Sequence, residues 1–140
     1  MIISFGWTTP ALLAGQKTVT RRYWNAKHAA KFKAGMQIDA WNTSPRNVKG
    51  NPHKVATIRL ADDPVLDWSD GVDSREWQAE GFAYLSEHND DDVVERILHD
   101  WRSNPRRLYV VRFEVVEYLK GPLAMTSLLG GTGLENRGEG

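Results

Sequence analysis

Six consecutive positions, Lys17-Thr18-Val19-Thr20-Arg21-Arg22, hold an amine, two hydroxyls and two guanidinium groups. A hydroxyl beside an amine is one way to build an activated nucleophile, because a neutral amine can accept the hydroxyl proton. Neutrality requires the lysine pKa to be lowered by burial or by nearby cations. Arg21 and Arg22 stand close enough in sequence to contribute that repulsion. Beta-branched Thr18, Val19 and Thr20 favour an extended backbone, and Gly15 supplies the turn before them. Alternation along a strand then places Thr18, Thr20 and Arg22 on one face, and Val19, Arg21 and Tyr23 on the other. Lys17 falls in the turn ahead of the strand, with a stem long enough to bring its ammonium back towards Thr20. The plainer reading of the same residues is a basic strand with its charges in water.

The elements that must position this stretch follow from punctuation and periodicity. Ile2–Phe5 reads as a first strand. Thr8-Thr9-Pro10 opens a short helix through Ala14, closed by Gly15. The strand carrying the motif runs to Tyr23 or Trp24. Asn25–Lys33 predicts a basic helix, and Gln37–Trp41 a third strand. Residues Asn42 to His53, rich in Asn, Ser, Pro and Gly, form a basic loop, from which Asn42 and Ser44 are candidate substrate contacts. Val55–Leu60 is a fourth strand, resumed at Val65 and Leu66 beyond Asp62-Asp63-Pro64. Ser74 and Trp77 announce a two-turn helix that stops near Gly81. Asp90-Asp91-Asp92 caps a stronger helix with the apolar stripe Val93, Val94, Ile97, Leu98 and Trp101, ended by Pro105. Leu108–Leu119 is the longest strand.

Five to six strands flanked by short helices predict an α+β fold, a small mixed barrel, over residues 1–120. The remaining 121–140 lack core residues and are expected to form a flexible tail.

The chain has 140 residues, enough for one domain with a real core. It has no cysteine, which removes disulfides and thiolate metal sites. No apolar run approaches the roughly 20 residues that span a bilayer, and Ile2-Ile3-Ser4-Phe5 lacks the basic flank of a secretion signal, so no membrane and a cytoplasmic location are expected. A formal net charge of zero conceals an asymmetry. Residues 1–60 hold ten Lys and Arg against the single acid Asp39, whereas residues 61–140 hold eight against seventeen Asp and Glu. The two halves either neutralise each other across the fold or leave a basic surface that attracts polyanions, and the acidic remainder opposes indiscriminate duplex binding, which favours a small nucleotide, a nucleoside or a single-stranded segment. Most of the six tryptophans are expected in the core, with Trp7 or Trp24 the candidate to stack on a base at a cleft edge. The four histidines have no metal-ligand spacing.

An ordered set of features carries a family resemblance. Gly15-x-Lys17-Thr18-x-Thr20-x-Arg22 follows the short helix, Gly35 leads a strand, and Ala79-Glu80-Gly81-Phe82 precedes the terminal strand Tyr109-Val110-Val111-Arg112-Phe113. Over about residues 2–119 the chain resembles the ASCH domain, a PUA-like β-barrel, and its Lys-Thr-Val-Thr-Arg-Arg wording is similar to small stand-alone bacterial and phage members. The resemblance implies a cleft open to nucleic acid or a modified base. Some such proteins are amidohydrolases that deacylate N4-acetylcytidine with a lysine, a threonine and a glutamate. Residue by residue, these fall on Lys17, Thr20 and Glu80 as catalytic groups and the motif arginine on Arg22, with no metal or cofactor; Arg21, next to it in the chain, is a further candidate substrate contact. Arg21 stands where those enzymes more often have an apolar residue. The resemblance equally admits a non-catalytic RNA- or DNA-binding module, or a ribonuclease that uses the same cleft.

Overall fold

The computed structural model describes residues 1–88 and 91–119. Six strands form one curled sheet, a half-barrel in a mixed α+β fold. They are β1 (Ile2–Ser4), β2 (Val19–Arg22), β3 (Gln37–Trp41), β4 (Lys54–Leu60), β5 (Val65–Trp68) and β6 (Arg107–Tyr118). The helices are α1 (Thr9–Leu13), α2 (Ala26–Ala29), α3 (Ser74–Ala79), α4 (Phe82–His88) and α5 (Asp91–Ser103). The order across the sheet is β1-β3-β4-β6-β2. β1 lies parallel to β3, and the other pairings are antiparallel.

The long strand β6 organises the sheet. On one edge it pairs first with β4, through residues such as Phe113 and Glu117, and then with β5, through Val110 to Arg107. β4 and β5 are therefore one interrupted edge, broken where Asp62-Asp63-Pro64 cannot sustain the ladder, as the sequence suggests. β2 takes the opposite edge of β6, from Arg112 to Tyr109. The two outer strands of the path, β1 and β2, are joined across the open seam by a side chain: Arg22 Nη2 donates to the Ser4 carbonyl at 2.6 Å.

Several elements differ from their expected bounds. The basic helix after β2 is one turn, capped by Asn25, whose Oδ1 accepts the His28 amide at 2.7 Å. The helix expected from Ser74 does start there, but its cap is Asp73, which accepts the Glu76 amide at 2.9 Å. Gly81 does not end the helical region. It turns it, and α4 follows directly, because Phe82 and Leu85 supply the apolar spacing to continue against α1 and α5. The tail expected over 121–140, and Asp90 of the acidic triplet, lie outside the described residues. No described helix is long and apolar enough to cross a membrane.

Two apolar cores result. The hollow of the sheet is filled by Ile3, Phe5, Leu12, Phe32, Ile38, Ile58, Leu60, Val111 and Phe113. A second core, of Ala11, Val72, Phe82, Leu85, Val94 and Leu98, lies among the helices. Neighbouring residues of α1 enter different cores, Leu12 the first and Ala11 the second. Polar groups trapped where the two cores meet are shielded from water on both sides.

Candidate functional site

Backbone contacts between the start of β2 and the end of α3 bring distant residues together. The Thr18 amide donates to the Ala79 carbonyl at 2.8 Å, and the Gln16 amide to the Ala11 carbonyl at 2.9 Å. The first bond holds the Gly15–Thr18 turn against the last residue of α3, and the second holds it against α1. Glu80 occupies the C-cap of α3, so its carbonyl lacks an intrahelical partner. Lys17 Nζ fills that need, donating to the Glu80 carbonyl at 2.8 Å, a cation on a helix C-terminus.

The approach is tight at Gly81. Its φ of +86° suits glycine, and a Cβ there would lie 2.6 Å from the Ala11 Cβ and 3.3 Å from the Lys17 Cβ. Gly81→Ala should therefore cost about 1–3 kcal/mol of stability, read as a lower urea midpoint. An unchanged midpoint would contradict the close packing of α1 on this turn.

Lys17, Thr20 and Glu80 are 2%, 4% and 2% exposed. All three line one cavity of about 190 Å³, together with Phe5, Trp7, Thr8, Arg21, Arg22, Phe82, Ile97 and Trp101. Lys17 Nζ also donates to Glu80 Oε1 at 3.0 Å. The other carboxylate oxygen, Oε2, accepts from Arg21 Nη1 at 2.8 Å. Arg21 Nη2 reaches on to Glu76 Oε1 at 2.5 Å, and Arg112 forks onto Glu76 at 2.8 and 3.1 Å. Arg22 Nε donates to Thr20 Oγ1 at 3.0 Å, and its guanidinium lies 5.3 Å from the centre of the Phe5 ring.

Electrostatics follow from this burial. Loss of hydration pulls the Lys17 pKa below the 10.5 of an exposed lysine; the Glu80 carboxylate opposes the change, and Arg22 and Arg21 add to it. Desolvation also lowers Arg22, to about 10, against the attraction of Glu80. Burial works against the Arg21 charge too, but its bonds to Glu76 and Glu80 outweigh that cost and raise its pKa.

The aromatic wall runs from Trp7, 42% exposed, to Trp101. Trp7 stacks nearly parallel on Phe82, with centroids 5.9 Å apart, and Phe82 packs on Trp101 at 5.6 Å.

Of the residues singled out in the sequence, Lys17, Thr20, Glu80, Arg21, Arg22 and Trp7 meet at this cavity. Trp24, Asn42 and Ser44 are elsewhere. Trp24 stacks on Phe32 at 4.5 Å, against the sheet core, where an indole buries more apolar surface than at a cleft edge. Asn42 secures its own loop: Oδ1 accepts the His53 amide, and Nδ2 donates to the Gly50 and Asn51 carbonyls. Ser44 Oγ accepts the Arg46 amide. Glu76 and Arg112 extend the site beyond those residues. Glu76 stands one helical turn before Glu80, a spacing that puts both carboxylates on one side of α3, and this signal was present in the sequence.

Thr20 and Arg22 share a face of β2, as alternation requires. Arg21 starts from the opposite face, yet β2 ends the path of strands, so a long side chain can wrap around its free edge into the same cavity.

No family model matches the sequence, and no curated protein matches it. Among solved structures, the fold is similar to protein EF3133 from Enterococcus faecalis V583, described under the family DUF984. The TM-score is 0.50 at 19% identity, over 83% of this chain and 74% of that one. At that identity the likeness concerns the curled α+β fold and not the chemistry.

Proposed function

We propose that this cavity hydrolyses the exocyclic amide of N4-acylated cytosine nucleosides. The observation that carries the reading is the convergence of a buried amine, a buried hydroxyl and a buried carboxylate on one small cavity beside exposed Trp7. The resemblance of the Gly15–Arg22 and Ala79–Phe82 stretches to the ASCH amidohydrolases supports it. A volume of about 190 Å³ is below the roughly 300–1,000 Å³ of drug-sized sites, which suits a base and its acyl group with the sugar left at the mouth.

The chemistry would run as an acyl transfer. A neutral Lys17 amine has two N–H groups, and its two hydrogen bonds to Glu80 would use both, leaving the lone pair free. Thr20 Oγ attacks the acyl carbon as its proton passes to that lone pair. The C–N4 bond then breaks, and N4 takes the proton from Lys17, releasing cytidine and leaving an ester on Thr20. Water attacks the ester by the reverse proton route and frees the carboxylic acid and the Thr20 hydroxyl. Arg22, already bonded to Thr20 Oγ1, steadies negative charge as it develops nearby. Trp7 offers a ring face to the base.

Incubation with N4-acetylcytidine should yield cytidine and acetate in equal amounts, measured by chromatography. The rate should climb with pH until Lys17 is deprotonated, with a midpoint below 10.5, because only the neutral amine accepts a proton. Thr20→Ala should abolish product. Absence of cytidine with the wild-type protein would overturn the reading. Salt-sensitive binding of single-stranded RNA in that case, unaffected by Thr20→Ala, would establish the binding-module alternative.

A further inference from the structure

The Glu80 carboxylate is divided between two cations. Lys17 has Oε1 and Arg21 has Oε2, and both bonds are buried, with side-chain exposures of 1% for Lys17, 3% for Glu80 and 5% for Arg21. A carboxylate given wholly to Lys17 would favour the ammonium and leave no base at the site. Arg21 cannot easily leave its place, since Glu76 binds its second nitrogen and Arg112 forks onto Glu76 from the surface. The result is a chain of alternating charges, Arg112–Glu76–Arg21–Glu80–Lys17, anchored outside and ending at the amine.

Among the described residues, the charged groups near Lys17 are Glu80, at the end of α3, and Arg21 and Arg22 of β2. α1, α4 and α5 present apolar groups to this region, including Ala11, Phe82, Ile97 and Trp101.

We propose that Arg21 is a positioning residue that takes half of Glu80 away from Lys17 and, held by Glu76 and Arg112, keeps the amine able to release its proton. This deepens the hydrolase reading and rests on it for its purpose, but the protonation of Lys17 can be measured without any substrate. Arg21 acts in two ways with one sign. It withdraws negative charge from the amine, and it adds a positive charge beside it. A residue that merely tethered α3 to β2 would do neither.

The test is a pH titration of the protein labelled with 13C at lysine Cε, with the Lys17 signal assigned by its loss in Lys17→Met. Arg21→Gln keeps a hydrogen-bond donor for Glu80 Oε2 but removes the cation. In this variant the Lys17 midpoint should rise by about tenfold in proton affinity. Arg21→Lys retains the positive charge and an ion pair, and should bring the midpoint back to within about threefold of wild type, so it serves even where Arg21→Gln folds poorly. The rising limb of N4-acetylcytidine hydrolysis should move with the midpoint in both variants. A Lys17 midpoint in folded Arg21→Gln equal to wild type would overturn the proposal. So would an Arg21→Lys midpoint displaced upward by tenfold or more. A protein that shows the expected titrations but no hydrolysis would retain the role of Arg21 and refute the amidohydrolase reading alone.

Discussion

Glu80→Ala should cost the protein about 3–5 kcal/mol of stability, the usual penalty for leaving a buried charge without its partner. Glu80 is 2% exposed and neutralises both Lys17 and Arg21. After truncation Arg21 still has Glu76, but of its present hydrogen bonds Lys17 Nζ keeps the one to the residue 80 backbone carbonyl, beside the Phe82 ring. The loss should also depend on pH. Lys17 already has a folded pKa below its unfolded value of about 10.5, so between the two the unfolded chain holds more protons. Stability linked to this group is lowest below the folded pKa and rises as pH increases through that window. Without Glu80 the folded pKa falls further and the window widens. Urea denaturation of both proteins from pH 7 to pH 10 should therefore show the deficit of the variant shrinking as pH rises. A deficit below about 1 kcal/mol at pH 7 would mean that the buried pair is not what holds this junction together.

Lys17→Met should lower N4-acetylcytidine turnover by about 10²–10⁴-fold, the range expected for loss of a general base. It should do so with far less damage to the fold. Methionine fills a similar volume without a charge to desolvate, and Glu80 keeps Arg21 as its partner. The informative result is the contrast: a large fall in kcat with a folded, cooperative denaturation curve, against the broad destabilisation of Glu80→Ala. Should Lys17→Met hydrolyse the substrate at the wild-type rate, the amine is not the base, and the Thr20 hydroxyl must be activated by another group. Arg22 is poorly suited to that task, since even with its pKa lowered to about 10 it remains a cation at neutral pH.

The local parts of this arrangement are readable along the chain. Gly15 closes α1, β-branched residues make β2 extended, and alternation sets Thr20 and Arg22 on one face, where they are hydrogen-bonded. The break at Asp62-Asp63-Pro64 and the length of β6 follow from the same kind of evidence, as do Gln37–Trp41 and the apolar stripe of α5. All of these depend on interactions among residues near in sequence. The helix Phe82–His88 is not legible in this way, because a glycine in a helical region reads as a stop, and only packing on Ala11 shows it to be a turn between two helices.

What no reading along the chain decides is how charge is shared once water is excluded. Arg21 and Glu76 are 55 positions apart, and Lys17 and Glu80 are 63 apart. Their partnerships come from the docking of the α3 C-terminus on the turn before β2, where two apolar cores meet. Residue types and spacing determined that an amine and a hydroxyl would stand together at the head of a strand. The family resemblance added Glu80 to that pair, and tertiary structure alone decided that all three would be buried and the carboxylate shared by two cations, because desolvation and long-range ion pairing exist only after distant segments have packed.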